Sequence, residues 1–367
     1  MNRFKNFTSI LAALLSALIV WEILLGALVE KTPGSTMHPV LGKITKAGTS
    51  VRGSEGFSIT KTNSLGMRGE ELTPKKTNEY RILILGDSFT EAFQVSDHKI
   101  YPYLLEKKLG DRLIRNRNKS DNKYSEITAI NAGRAGSSPA TYIALGDFYK
   151  TLTKPDFVIV QVNELDFTED LYDSNKIQHY LVKENTTYKL QSNENFFSSD
   201  PLSQIVLQNF SNLRFLLELS VLRIGGKKVQ GFLRERRNEL DKTQFKTSKE
   251  KHQKYFEGIN WVIENLKDTY PNLVVLYFPD IDYRNSQKTP SEVELSLEVE
   301  SSLEKVTTQH NVHFVNMRED FINYYHVYHQ PAHGFNNTVP GTGHTNEIGH
   351  ELTAEHLASL FERRILK

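Results

Sequence analysis

The chain has 367 residues, with 45 Lys+Arg against 44 Asp+Glu and a formal net charge of +1 at pH 7. That balance leaves no bulk electrostatic footprint for nucleic acid, and 38% hydrophobic with 10% aromatic residues argues against global disorder. There is no cysteine, which excludes disulfides, thiolate catalysis and Cys-ligated zinc and leaves the redox compartment undecided.

Residues Phe7–Val29, FTSILAALLSALIVWEILLGALV, form a 23-residue run whose only charge is Glu22. At about 1.5 Å per residue it can span the roughly 30 Å hydrocarbon core of a bilayer. Arg3 and Lys5 precede it, so the positive-inside rule keeps the N-terminus cytoplasmic and sends everything after Val29 outward. A cleaved signal peptide has a shorter apolar region and a small-x-small site, neither of which is clear here. The expectation is a single-pass signal-anchor within residues 1–30, with the rest on the periplasmic or extracellular side. Glu22, next to Trp21, is placed near the outer interface.

Residues 31–79 contain Gly, Ser, Thr, Pro and Lys with little periodicity and read as a stalk followed by a segment on the domain surface. From Tyr80 onward strands and helices alternate. Short apolar runs stand at Arg81–Leu85, Glu126–Asn131, Asp156–Val162, Leu273–Phe278 and Val312–Asn316, as suits strands buried on both faces of a parallel sheet. Helical patterns lie at His98–Leu109, Ala140–Leu152, Lys249–Lys267, Ser291–Gln309 and Asn346–Leu366. The pattern predicts an α/β fold over residues 80–367, a three-layer α/β/α sandwich around a parallel sheet of about five strands.

One crossover is too long for a single helix. The stretch from Leu165 to Thr247 holds about 80 residues, several times the usual connection, and reads as an insertion at about 165–247. Within it, Ile177–Val182 and Thr187–Leu190 suit a hairpin, and Ser203–Ile224 an amphipathic helix. Phe232–Lys246, with Arg234, Arg236 and Arg237, suits a solvated charged face.

Ligands of a parallel α/β sheet bind at the carboxyl ends of its strands, so the residues just after each strand carry the functional reading. The first run is followed by Gly86-Asp87-Ser88, the second by Ala132-Gly133-Arg134-Ala135-Gly136, and the third ends in Gln161-Val162-Asn163-Glu164. The loop before the last helix holds Gly343-His344-Thr345-Asn346-Glu347-Ile348-Gly349-His350. Each fragment alone reads as a cap, a turn or a surface histidine.

Together, in this order, they resemble the SGNH hydrolase superfamily, the GDSL-type esterases, from about Arg81 to the C-terminus. The anchor and the stretch Thr62-Asn63-Ser64-Leu65-Gly66-Met67-Arg68-Gly69 also look like membrane-anchored members associated with cell-envelope polysaccharide. The resemblance implies Ser88 as nucleophile and His344 as its base. It implies an oxyanion hole made of the Ser88 N–H, the Gly133 N–H and the Asn163 side-chain amide, with no cofactor and no metal. Asp87 is expected to be a structural hydrogen-bonding residue, Asn346 the N-cap of the last helix, and His350 a packing residue.

The sequence departs from the family where an aspartate usually stands three residues before the catalytic histidine, since that position is Gly341. Three outcomes follow: a Ser–His dyad oriented by a backbone carbonyl, a carboxylate from elsewhere such as Asp280 or Asp282, or a catalytically weak protein that binds glycan. Gln161 and Glu164 also stand where Gly and Asp are common. His326, His329 and His333 have a spacing that admits a metal, although an aromatic lid or ordinary packing accounts for them as well. The expected function is a membrane-anchored serine esterase or O-acyltransferase acting on acyl esters, with O-acetyl groups of a cell-envelope carbohydrate as the expected substrate. The alternative is a non-catalytic scaffold of the same fold.

Overall fold

A computed structural model describes residues 9–17, 20, 33–53, 55–116, 123–173, 178–184, 187–193, 248–284 and 289–365. Two antiparallel hairpins come first: β1 (Ser35–His38) with β2 (Gly42–Thr45), and β3 (Gly48–Arg52) with β4 (Ser58–Thr62). These residues, read from the sequence as stalk and surface segment, are packed onto the domain. Leu41, Ile44 and Met67 are buried with the core of the sheet behind them.

The α/β domain follows in chain order. It comprises β5 (Glu79–Leu85), α1 (Ser88–Glu91), α2 (Tyr101–Asn116), β6 (Glu126–Asn131), α3 (Pro139–Ala144), α4 (Gly146–Thr153), β7 (Phe157–Val162) and α5 (Glu164–Thr168). The hairpin β8 (His179–Glu184) and β9 (Thr187–Ser192) comes next. The chain continues with α6 (Ser248–Thr269), β10 (Leu273–Tyr277), α7 (Pro290–Gln309), β11 (His313–Asn316), α8 (Arg318–Tyr328) and α9 (Glu347–Ile365).

The five central strands are parallel and lie in the order β11-β10-β7-β5-β6. Successive side chains of a strand point to opposite faces. Leu83 and Leu85 therefore join a core with α3, α4, α6 and α7, while Ile82 and Ile84 join a second core with α2, α8 and α9. Each such side chain contributes roughly 1.5–3 kcal/mol when fully buried. The inner strands β5, β7 and β10 read as largely apolar runs because both faces are covered, which is why the middle of the sheet is legible in the sequence.

The first strand of the sheet in chain order, β5, lies between the second and the third, so the connections run to opposite sides at the β5/β7 boundary. That reversal opens a crevice at the carboxyl ends of β5 and β7, where a doubly wound sheet binds its ligands.

The insertion supplies the β8–β9 hairpin, which starts its second strand at Thr187 as expected and has its other three ends two residues further along the chain. Its Ser203–Ile224 and Phe232–Lys246 segments lie outside the described residues. At the N-terminus, residues 9–17 and 20 are helical, and Ile10, Leu11, Leu14 and Leu15 are exposed. No helix among the described residues is long and apolar enough to cross a membrane. Most of the span expected over residues 7–29 lies outside the described residues.

Candidate active site

Ser88 is the first residue of α1, directly after the turn that leaves β5. Asp87 is the N-cap, and its Oδ1 accepts the Phe89 N–H at 2.9 Å. Thr90 fixes the turn from behind, with Oγ1 2.8 Å from the Tyr101 hydroxyl and donating to Gln161 Oε1 at 3.0 Å. Gln161, one of the sequence's departures, is fully buried and serves as that acceptor.

His344 comes from the loop before α9, 256 residues away, and its Nε2 lies 2.9 Å from Ser88 Oγ. The loop is held on both sides of the histidine. Its carbonyl accepts the Gly334 N–H at 2.9 Å. Asn346 Oδ1 accepts the Ile348 and Gly349 N–H groups as the cap of α9, while its Nδ2 donates to the Pro331 and Gly334 carbonyls. The Phe89 ring lies against the imidazole, 5.0 Å between centroids.

The carboxylate that meets the His344 ring comes from neither position weighed in the sequence. Glu55, at the turn between β3 and β4, places Oε2 2.8 Å from His344 Nδ1, and its Oε1 accepts the His344 N–H at 3.1 Å. Asp280 instead donates its N–H to Glu164 Oε1, and Asp282 caps the turn at Arg284. Gly341 stands at φ +93°, in the positive-φ region that favours glycine over residues with a Cβ. Burial alone raises the Glu55 carboxyl, but the hydrogen bonds and charge of His344 outweigh it and hold the group below the ordinary range. An ionised Glu55 requires the Nδ1–H tautomer, which leaves Nε2 free to accept the Ser88 proton.

The expected oxyanion donors are differently disposed. The Ser88 N–H makes no hydrogen bond among the described residues. Asn163 caps α5: its Oδ1 accepts the Leu165 N–H at 2.8 Å, and its own N–H goes to Asp166 Oδ2. One Nδ2 hydrogen binds Asp87 Oδ2 at 2.8 Å, which fixes the amide plane and leaves the second hydrogen available. The Gly133 N–H, in contrast, donates to Asn131 Oδ1 at 3.0 Å. Glycine is required there by packing, since a Cβ would stand 2.5 Å from the Glu91 nitrogen.

Three acids are buried around this turn. Burial raises Asp87, burial and the charge of Asp87 raise Asp166 well above the usual range, and burial pushes Glu91 up to about 7. Glu91 Oε2 accepts the Ala135 N–H at 3.2 Å and so ties α1 to the loop after β6.

The Thr62–Gly69 stretch also serves the site. Asn63 Oδ1 accepts the Leu65 and Met67 N–H groups, closing a tight turn that presents Arg68. The buried Arg68 guanidinium then donates to the carbonyls of Glu91, Ala92 and Val95 and pairs with Asp97. It clamps the chain where α1 ends.

No family model matches the sequence, and no curated protein matches it. Among solved structures the chain is similar to an alpha/beta hydrolase enzyme from the metagenome of Lake Arreo, Spain. Identity is 14%, covering 78% of this chain and 96% of that one, with a TM-score of 0.41. It is also similar to an acetyl xylan esterase (14% identity, 76% and 98% covered, TM-score 0.40) and to the lipase/acylhydrolase from Enterococcus faecalis (13% identity, 78% and 97% covered, TM-score 0.39).

The remaining histidines are not gathered. His333 is buried with Nδ1 2.9 Å from the Tyr283 hydroxyl, whereas His326 and His329 are exposed on α8 and at its end. No group of three or more His, Asp or Glu side chains that could hold a metal occurs among the described residues. His350 is fully buried, its Nδ1 accepting the Tyr101 N–H at 3.3 Å, and burial lowers it to about 3.

Proposed function

We propose that the protein is a serine esterase or O-acyltransferase of the SGNH type, with Ser88 as nucleophile, His344 as base and Glu55 as the acid that orients it. The observation that carries this reading is the continuous contact from Glu55 through the imidazole to Ser88 Oγ. A serine hydroxyl is a weak nucleophile until a positioned base takes its proton. In the first step Ser88 Oγ bonds to the ester carbonyl carbon while its proton passes to His344 Nε2. The carbonyl oxygen becomes an oxyanion that the Ser88 N–H and the free Asn163 amide hydrogen can meet. Such a donor is worth ~2.7–4 kcal/mol of transition-state stabilisation. Collapse expels the alcohol, which takes the proton from His344, and leaves an acyl-serine. Attack by water completes hydrolysis, and attack by a sugar hydroxyl completes transfer.

The favoured substrates are O-acyl groups of a carbohydrate, a reading that rests on the sequence resemblance. The alternative, a non-catalytic glycan-binding protein, rests on the missing acid at Gly341, and the Glu55–His344 contact favours the catalytic reading over it. Incubating the purified protein with a fluorophosphonate tests the reading: labelling at Ser88 supports it, and an unlabelled Ser88 together with no turnover of any small acyl ester overturns it.

Membrane attachment is part of the proposal. It rests on the apolar run Phe7–Val29 and on Arg3 and Lys5 before it. An alkaline phosphatase fused after Lys367 is expected to be active, and an active cytosolic reporter at that point with a silent phosphatase refutes the topology.

A further inference from the structure

The carboxylate that orients His344 sits at the tip of the β3–β4 hairpin, whose second strand is anchored to the α/β domain through Ser58, Ile59 and Lys61, while the tip lies beyond those bonds. Something must hold the tip in register with the histidine. Asn337, in the loop between α8 and α9, does so with all of its hydrogen-bonding capacity except part of its oxygen. Its Nδ2 donates to the Gly53 carbonyl at 2.7 Å and to the Gly56 carbonyl at 3.1 Å, and its Oδ1 accepts the Gly56 N–H at 2.8 Å. Those two residues bracket Glu55. Beneath them Phe335 lies so close that a Cβ on Gly56, at φ +73°, would stand 2.6 Å from its ring. Asn337 and His344 belong to the same loop, so the residue that grips the turn of the acid and the base it serves lie on one segment of chain.

We propose that Asn337 is a positioning residue for the proposed acyl-transfer reaction, holding the Glu55 carboxylate on His344 by clamping the backbone on both sides of it. The inference rests on the reading of Ser88, His344 and Glu55 as a relay. Asn337 is exposed, so its loss removes few packing contacts and the fold should survive it. What changes is the fraction of molecules in which Glu55 is in place, and misplacement by about 1 Å can cost on the order of 10²-fold in rate.

The test measures kcat and KM on a small acyl ester for wild type, Asn337→Ala, Glu55→Gln and the double variant, with Asn336→Ala as a neighbouring exposed control. Asn337→Ala is expected to lower kcat by roughly 10- to 100-fold at a KM within about twofold of wild type. In the Glu55→Gln background the same change should cost less than about twofold, because there is no carboxylate left to position. Asn336→Ala should match wild type. Three results overturn the proposal: an unchanged kcat in Asn337→Ala, a loss of equal size in the Glu55→Gln background, or a loss shared by Asn336→Ala. If Ser88 in the wild type is not labelled by fluorophosphonate, the relay itself fails and this inference falls with it. If Ser88 is labelled while Asn337→Ala is inert, only this inference fails.

Discussion

Glu55 reaches His344 across 289 residues of sequence, with Oε2 2.8 Å from Nδ1 and Oε1 accepting the backbone N–H of the same residue. A carboxylate that binds both the ring and the main chain of a histidine fixes the ring's rotation as well as its tautomer. The contact therefore joins the α/β domain to a hairpin that precedes it.

Glu55→Gln should lower kcat by on the order of 10⁴-fold, as loss of the triad acid does in another serine hydrolase, with little change in melting temperature. Asp280→Asn and Asp282→Asn, assayed beside it, should stay within a few-fold of wild type. A loss at either aspartate that equals the loss at Glu55 would transfer the role.

Ser88→Ala should abolish turnover of a small acyl ester while leaving the circular dichroism spectrum and melting temperature close to wild type. The hydroxyl sits at a partly exposed turn, and its one hydrogen bond is to His344. Near wild-type turnover in the variant would refute the assignment of the nucleophile.

Asn163→Ala should lower kcat by about 10²–10³-fold through loss of an oxyanion donor. It should also destabilise the fold by ~1 kcal/mol, because Asn163 caps α5. Urea denaturation separates the two effects. A stability loss with unchanged kcat would leave Asn163 as a cap alone.

The Glu91 carboxyl gives a pH dependence with a defined sign. Burial raises it from 4.5 to about 7, so between those values the folded state holds a proton that the unfolded state has released. Stability therefore falls as pH rises through that window and is lowest, for this group, above 7. At ~1.4 kcal/mol per pKa unit the effect is about 3 kcal/mol. Glu91→Gln cannot ionise, so its stability relative to wild type should be greater at pH 8 than at pH 5, measured by urea unfolding at both. An identical difference at the two pH values would show that Glu91 titrates normally.

The middle of the sheet and the turns that carry Ser88, Asn163 and His344 are legible in the sequence. Strands β5, β7 and β10 are buried on both faces and so read as apolar runs, and the turns that leave them carry Ser88 and Asn163. The cap Asn346 similarly announces the loop that holds His344. These are local signals, because strand burial, turn chemistry and capping depend on residues a few positions apart. Tertiary packing alone sets which carboxylate meets His344. Gly53-Ser54-Glu55-Gly56 reads as a hairpin turn, and nothing near it in the chain points to a histidine 289 residues on. It also decided that the Gly133 N–H is engaged by Asn131 and that the glycine is demanded by the backbone of Glu91. Those facts depend on which surfaces pack together, and a hydrogen bond between distant segments leaves no periodic trace in either one.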